Sequence, residues 1–240
     1  MCGRYVLEID GDGLLHGYVA TGQDRAAQWE AVYSIAPRTK APVVREFVHD
    51  DGERQRSLEL ARWGLHPAWA KAQGPRPINA RLETVATNGM FRGSFSSGRA
   101  VVPMTGYYEW VEADDSGKDP FFIHHPDGQL LHAAGLTAAR KAEDGDSWDV
   151  TFTIVTREAR DASGEVHDRM PVFLTEDAVA EWLAPGKLEP EQKGPLLTQL
   201  DQISTTMAAE LVTVPVDRQV NNVRTLDRTD PSLIAPLGAD

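Results

Sequence analysis

Cys2 is the one cysteine of the 240-residue chain and stands directly after Met1. Cys is small enough for the initiating Met to be removed before it, so the mature chain is expected to begin at Cys2. An N-terminal Cys carries an amine and a thiol on adjacent carbons. Their reference pKa values, roughly 7.7 to 8.0 and 8.5, leave appreciable fractions of both nucleophilic near neutrality. Such a pair attacks an aldehyde twice. The amine forms a Schiff base, and the thiolate then closes on the same carbon to give a five-membered thiazolidine, favoured by proximity. The ring-opened sugar of an abasic deoxyribose presents such an aldehyde. A Schiff base alone promotes strand cleavage by β-elimination, and closure by sulfur protects the strand. A lone Cys is more often an inert small residue than a nucleophile. The case therefore rests on the residues around it.

Three other segments carry chemistry. Ile78-Asn79-Ala80-Arg81-Leu82-Glu83-Thr84 places an amide, a guanidinium and a carboxylate in one short run. Asn79 suits a sugar or an oxyanion and Arg81 a phosphate, although Asn79 reads equally as a helix N-cap. Gly106-Tyr107-Tyr108-Glu109-Trp110 sets a carboxylate among aromatics. Desolvation there would raise its pKa and suit Glu109 to general acid/base work; an outward-facing position on an alternating strand is the competing reading. His167-Asp168-Arg169-Met170-Pro171 joins a group titrating near neutrality to a carboxylate and a cation, although neighbours in sequence need not face each other. The remaining histidines, including His124, His125 and His132, lack ligand spacing, and a single Cys excludes both an internal disulfide and a four-cysteine zinc site. No metal and no cofactor is expected.

The elements that must position these groups are mostly strands. Alternation over Leu58–Trp63 and β-forming runs at Val101-Val102, Tyr107–Val111, Phe121–Ile123 and Thr151–Val155 predict strands. Turns at Asp50-Asp51-Gly52, Asp114–Gly117 and Pro126-Asp127-Gly128 between them predict antiparallel hairpins. Helices are predicted over Gly22–Val32, after Thr175 with Ala178, Val179, Trp182 and Leu183 on the inner face, and briefly after Pro190. A late strand over Glu210–Val216 is expected to close the sheet from far along the chain. No repeat or linker divides the chain. One domain over residues 1–227 is expected, with a loose tail over 228–240.

Composition sets the outer limits. Hydrophobic residues make up 41% and charged residues 25%, as in a folded globular protein. No run is apolar enough to span a bilayer and the start lacks a secretory pattern, so a cytoplasmic protein without a membrane partner is expected. A formal net charge of -12 opposes sequence-independent binding along long nucleic acids, because that binding neutralises phosphates with Lys and Arg. Acidic residues gather in turns such as Glu143-Asp144-Gly145-Asp146 while arginines stand beside the motifs, so a small local footprint remains open.

Taken in order, Met1–Tyr5, Tyr33-Ser34-Ile35-Ala36-Pro37, Trp63-Gly64, Asn79–Thr84, Gly106–Trp110, Pro120-Phe121-Phe122 and His167–Pro171 resemble the SOS-response-associated peptidase (SRAP) family, whose members trap abasic sites in single-stranded DNA. The resemblance implies an α+β domain with a mostly antiparallel, barrel-like β core flanked by helices. It further implies that Cys2 forms the thiazolidine, Asn79 and Glu109 organise and catalyse its formation, and His167 moves protons and serves reversal. Arg4, Arg81 and Arg169 would hold phosphates. A peptidase-like step would expose Cys2, and the expected partner is single-stranded DNA with abasic sites, met by a monomer that joins the nucleoid when bound. Where the family carries paired tryptophans this chain has Trp69-Ala70, so that beside Trp69 one stacking platform is either missing or supplied by Trp110. Asp217 replaces a small hydroxyl residue in the closing motif. Two other readings share these residues: an amidohydrolase using the Cys2 amine as base, and a noncovalent single-stranded DNA-binding module.

Overall fold

The computed structural model describes residues 2–22, 24–49, 51–142, 145 and 147–238, without the side chains of Asp24 and Arg25. The first half of the chain forms β1 (Tyr5–Leu7), α1 (Gly11–Tyr18), β2 (Thr21–Gly22), α2 (Asp24–Ala27), β3 (Val32–Ile35), β4 (Lys40–Val48), β5 (Arg54–Trp63), β6 (Asn79–Arg81), α3 (Arg92–Ser97), β7 (Arg99–Met104) and β8 (Gly106–Glu112). The second half adds β9 (Lys118–His124), β10 (Leu131–Lys141), β11 (Trp148–Glu158), α4 (Asp161–Gly164), β12 (Arg169–Pro171), β13 (Phe173–Leu174), α5 (Glu176–Leu183), α6 (Pro190–Ala208) and β14 (Val212–Pro215).

Three antiparallel hairpins supply most of the sheet. β4 and β5 pair from Lys40 opposite Arg62 to Val48 opposite Arg54. Gly52 in their turn has φ +87°, a conformation that L side chains rarely adopt, while the adjoining Asp50 lies outside the described residues. β8 and β9 pair from Gly106 opposite His124 to Glu112 opposite Lys118, and Asp115 in their turn accepts the Gly117 amide at 3.0 Å. β10 and β11 pair from Gly135 opposite Ile154 to Lys141 opposite Trp148. Glu143, Asp144 and Asp146 of their turn lie outside the described residues. The turn at Pro126-Asp127-Gly128 makes no hairpin, because β9 and β10 belong to different sheets and the chain crosses between them there.

The larger sheet closes on itself. Its strands run β11, β10, β7, β4, β5, and β5 returns to β11 in parallel through Arg62 opposite Thr151 and Trp63 opposite Phe152. Trp63 sits at this seam, fully buried, stacked on Phe152 at 6.1 Å and edge-on to Tyr5 at 5.3 Å, and its Nε1 donates to the Ile78 carbonyl at 2.9 Å. The smaller sheet, ordered β14, β9, β8, β1, β3, carries the N-terminal strand near its centre. The expected α+β architecture with a barrel-like, mostly antiparallel core is what the chain forms.

Several elements depart from the sequence expectation. The helix predicted over Gly22–Val32 stops after one turn. Val32–Ile35 is drawn into pairing with β1, and the Tyr33 amide donates to the Arg228 carbonyl. Asn79 caps no helix; it opens β6, which pairs in parallel with β11. The helix after Pro190 is long, 19 residues, started by Pro at its first turn and by reciprocal Glu189 and Gln192 capping. The segment from Arg228 is docked up to Gly238. Leu233 is buried, and the Leu237 amide donates to the Pro215 carbonyl at 2.9 Å.

Candidate active site

β1 and β8 are adjacent antiparallel strands, with Tyr5 opposite Tyr107 and the Tyr108 amide donating to the Arg4 carbonyl. This pairing carries the first residues of the chain back toward Glu109. From the other side, β11 gathers two more segments. Asn79 in β6 lies beside Ile154, and β12, which starts two residues after His167, pairs with Thr156 to Glu158. Four motifs spread over 165 residues thus converge through β1, β8 and β11.

Cys2 is fully buried at this junction. Asn79 Nδ2 donates to the Cys2 carbonyl at 2.9 Å, which fixes the residue's backbone. Burial, and then the nearby Glu109 charge, push the Cys2 thiol well above its ordinary value, so the sulfur is held as a thiol until a base removes its proton. Glu109 is itself buried at 2% exposure, and burial with the Asp168 charge moves its carboxyl up to about 7. A carboxyl at that value is both a usable acid and a usable base near neutrality. The outward-facing reading of Glu109 is overturned by this burial.

His167 is partly buried, and burial keeps its ring below the ordinary value, so it is neutral at pH 7. Its Nδ1 stands 3.0 Å from the Arg169 amide, which donates to it when that nitrogen is unprotonated. Asp168 Oδ1 stands 2.8 Å from the same Nδ1. When Nδ1 carries a proton it donates to Asp168, a local means of holding an imidazolium.

The cations divide. Arg4 is buried; its Nη1 donates to Ser34 Oγ at 3.0 Å and to the Val220 carbonyl at 3.1 Å, and its guanidinium lies 5.6 Å from the Trp110 ring centre. Arg169 grips Glu83 with two hydrogen bonds of 2.6 and 3.0 Å and also donates to the Thr156 carbonyl at 2.7 Å. Arg81 alone of the three is exposed. Trp110 Nε1 donates to Asn221 at 2.6 Å, whereas Trp69 projects into solvent at 68% exposure on the connection between β5 and β6. Asp217 caps the short 3-10 turn Arg218–Asn221 by accepting the Gln219 amide at 2.7 Å. A carboxylate there does the work of a small hydroxyl, and it steadies the turn whose Val220 carbonyl holds Arg4.

Two groups at the site were not singled out from sequence. The Tyr5 and Tyr107 rings are fully buried and lie close enough to Cys2 for a thiolate there to act on both hydroxyls. Tyr5 was visible only as part of the opening motif, where an aromatic reads as core. Among the described residues no group of His, Cys, Asp and Glu is arranged to hold a metal ion, and no helix is long and apolar enough to cross a membrane.

With this geometry in place, the chain can be set beside known proteins. A family profile described as SOS response associated peptidase (SRAP) matches residues 1–223. The chain belongs to the SRAP family. Among its relatives, the abasic site processing protein YoqW of Bacillus subtilis is 32% identical over 224 residues, covering 92% of this chain and 96% of that one. The abasic site processing protein YedK of Escherichia coli is 32% identical over 194 residues, 80% of each chain. The abasic site processing protein HMCES of Pongo abelii is 26% identical over 99% of this chain and 76% of its own. A solved Bacteroides thetaiotaomicron protein shares the SRAP fold with a TM-score of 0.77, at 20% identity and with 98% and 99% of the two chains covered.

Proposed function

We propose that this SRAP protein traps abasic sites in single-stranded DNA by condensing its mature Cys2 with the ring-opened sugar. The observation that carries the reading is the setting of one residue: Asn79 holds the Cys2 carbonyl at 2.9 Å, and the charge of the buried Glu109 carboxyl raises the Cys2 thiol. The shared names of its relatives, abasic site processing proteins, point to the same substrate.

The chemistry balances with these residues alone. His167 relays a proton as the sugar ring opens to the aldehyde. The Cys2 amine adds to the carbonyl carbon, and protonated Glu109 donates to the resulting hydroxyl, which leaves as water and yields an iminium. Glu109, now a carboxylate, takes the thiol proton as sulfur bonds to the same carbon. The product is a neutral thiazolidine with Glu109 reprotonated and one water lost. Exposed Arg81 and Trp69 contact the flanking phosphate and base, while Arg4, Arg169 and Trp110 shape the wall behind them. Release of Met1, by a peptidase-like step of the protein itself, belongs to the same reading.

Intact mass spectrometry with a single-stranded oligonucleotide carrying one abasic site tests this. A denaturation-resistant species at the sum of the two masses less one water is expected, and it should vanish in Cys2→Ala. Retention of Met1 on the purified protein, or DNA binding that is intact in Cys2→Ser with no adduct in wild type, would defeat the proposal. Turnover of an amide without DNA would replace it by amidohydrolase chemistry.

A further inference from the structure

A polar cavity of about 720 Å³ opens at one mouth of the barrel, where β4 and β11 begin and β5 and β10 end. Lys40, Arg62, Arg76, Arg140 and Lys141 line it together with His66 and the exposed Trp148, against one carboxylate, Asp149. None of these five cations has an ion pair among the described residues. By contrast Arg45, Arg54, Arg56, Arg157, Arg160, Arg169 and Arg218 are each paired with a carboxylate. In a chain of net charge -12, five cations around one hollow, none ion-paired among the described residues, are a local concentration of positive charge. Glu143, Asp144 and Asp146, in the turn between Lys141 and Ser147, lie outside the described residues.

The cavity is built. His66 is 1% exposed, its Nε2 donates to the Lys71 carbonyl at 3.0 Å, and its Nδ1 therefore accepts from Arg140 at 2.8 Å. The buried His66 ring thus holds the Arg140 guanidinium in the wall. Arg62 is steadied by donating to the Arg38 carbonyl at 3.0 Å. Arg76 precedes Asn79 by three residues, which keeps their Cα atoms within about 11 Å. Exposed Trp69 lies on the same connection.

We propose that this cavity binds consecutive backbone phosphates of the strand on one side of the abasic nucleotide, with Trp148 available to stack on a base. The inference rests on the reading of the Cys2 site as a site for single-stranded DNA. It assigns the footprint's charge to Lys40, Arg62, Arg76 and Arg140 in place of Arg4 and Arg169, which are engaged internally. Guanidinium groups suit phosphate because they donate bidentately.

The test combines two readouts on Lys40→Gln/Arg76→Gln, whose altered side chains make no hydrogen bond among the described residues, and on Arg140→Gln, with thermal unfolding to confirm the fold. Half-saturation of adduct formation is measured with an abasic oligonucleotide, and anisotropy with an undamaged one. The double variant should raise half-saturation about three- to ten-fold, keep the adduct plateau, and flatten the slope of log affinity against log salt by about 1.4, at roughly 0.7 per lost contact. Methylphosphonate linkages on one flank should weaken wild type equally and the variant no further. Unchanged affinity and slope would overturn the proposal, as would displacement of the strand by inorganic tripolyphosphate at lower phosphate concentration, which marks a site for small polyphosphates. Loss of adduct in wild type with every oligonucleotide would instead defeat the Cys2 reading, while anisotropy would still report on the cavity.

Discussion

Glu109 concentrates the chemistry into one side chain whose ionisation is measurable. Its carboxyl at about 7 in the fold compares with 4.5 when unfolded, because the charged form is desolvated. The folded state therefore binds the proton more tightly. The stability this confers is complete below pH 4.5, is lost as pH rises to about 7 and stays lost above, a change of up to about 3 kcal/mol. Glu109→Gln should remove that dependence, so that urea midpoints of wild type and variant diverge with rising pH between 4.5 and 7, the variant becoming the more stable. The same substitution should slow adduct formation by about 10²-fold, and the wild-type rate should fall above pH 7 as the acid form is depleted. A rate that rises without break through pH 8 would argue that Glu109 is not the acid. At this scale the sequence revealed which groups have the right chemistry but not which are already occupied. Cys2, Asn79, Glu109 and His167 stood out by type. Arg4 and Arg169 stood out equally, yet their partners Ser34, Val220 and Glu83 are chosen by folding across 30, 216 and 86 residues.

Elements are held in place by a few buried polar anchors, and Arg99 is the clearest. It is 8% exposed with no carboxylate partner among the described residues, and its guanidinium donates to the carbonyls of Trp182 at 2.8 Å, Ser96 at 2.7 Å and Ala184, at the ends of α5 and α3. A cation there satisfies helix-end carbonyls that have no partner in their own helix. Lys lacks the planar fork, so Arg99→Lys should lower stability by about 2 kcal/mol in denaturant unfolding while leaving adduct chemistry intact in the folded fraction. Gly106 marks a second constraint, at the start of β8. A Cβ there would meet the Phe122 ring at 2.5 Å and the Ile123 carbonyl oxygen at 2.6 Å. Gly106→Ala should cost about 1–3 kcal/mol by thermal unfolding and, by shifting β8, reduce adduct yield as well. Which elements were legible follows from how each is stabilised. β5, β8 and β11 carried β-forming patterns of their own. β6 did not: three residues pair with β11 only because the barrel brings them there, so Asn79 read as a cap. α6 was understated because Gly194 and Pro195 interrupt its pattern and few of its residues are buried; its start is set by the local caps at Glu189 and Pro190.

For the molecule as a whole, barrel closure and charge make separate demands. Closure depends on the short parallel contact of β5 with β11, and Trp63 is the side chain that fills it. Trp63→Ala should cost about 3–5 kcal/mol, more than removal of a comparable side chain from an open sheet edge, because the cavity lies where two strands distant in sequence must meet. Charge acts on the encounter with DNA. A chain of net charge -12 is repelled by a polyanion everywhere except over a local basic patch, so the noncovalent step should be weak and short in footprint. A covalent second step makes weak binding sufficient, because the bond, once formed, no longer depends on phosphate contacts. The two steps should separate cleanly with salt. Half-saturation of adduct formation should rise with ionic strength along a slope of about 3 to 3.5 in log–log form, equivalent to four or five contacts on a single strand. The plateau should remain unchanged, and adduct already formed should withstand molar salt. A slope near zero would mean that phosphates play no part in recognition, and a slope several times larger would require a continuous basic track in place of a local patch.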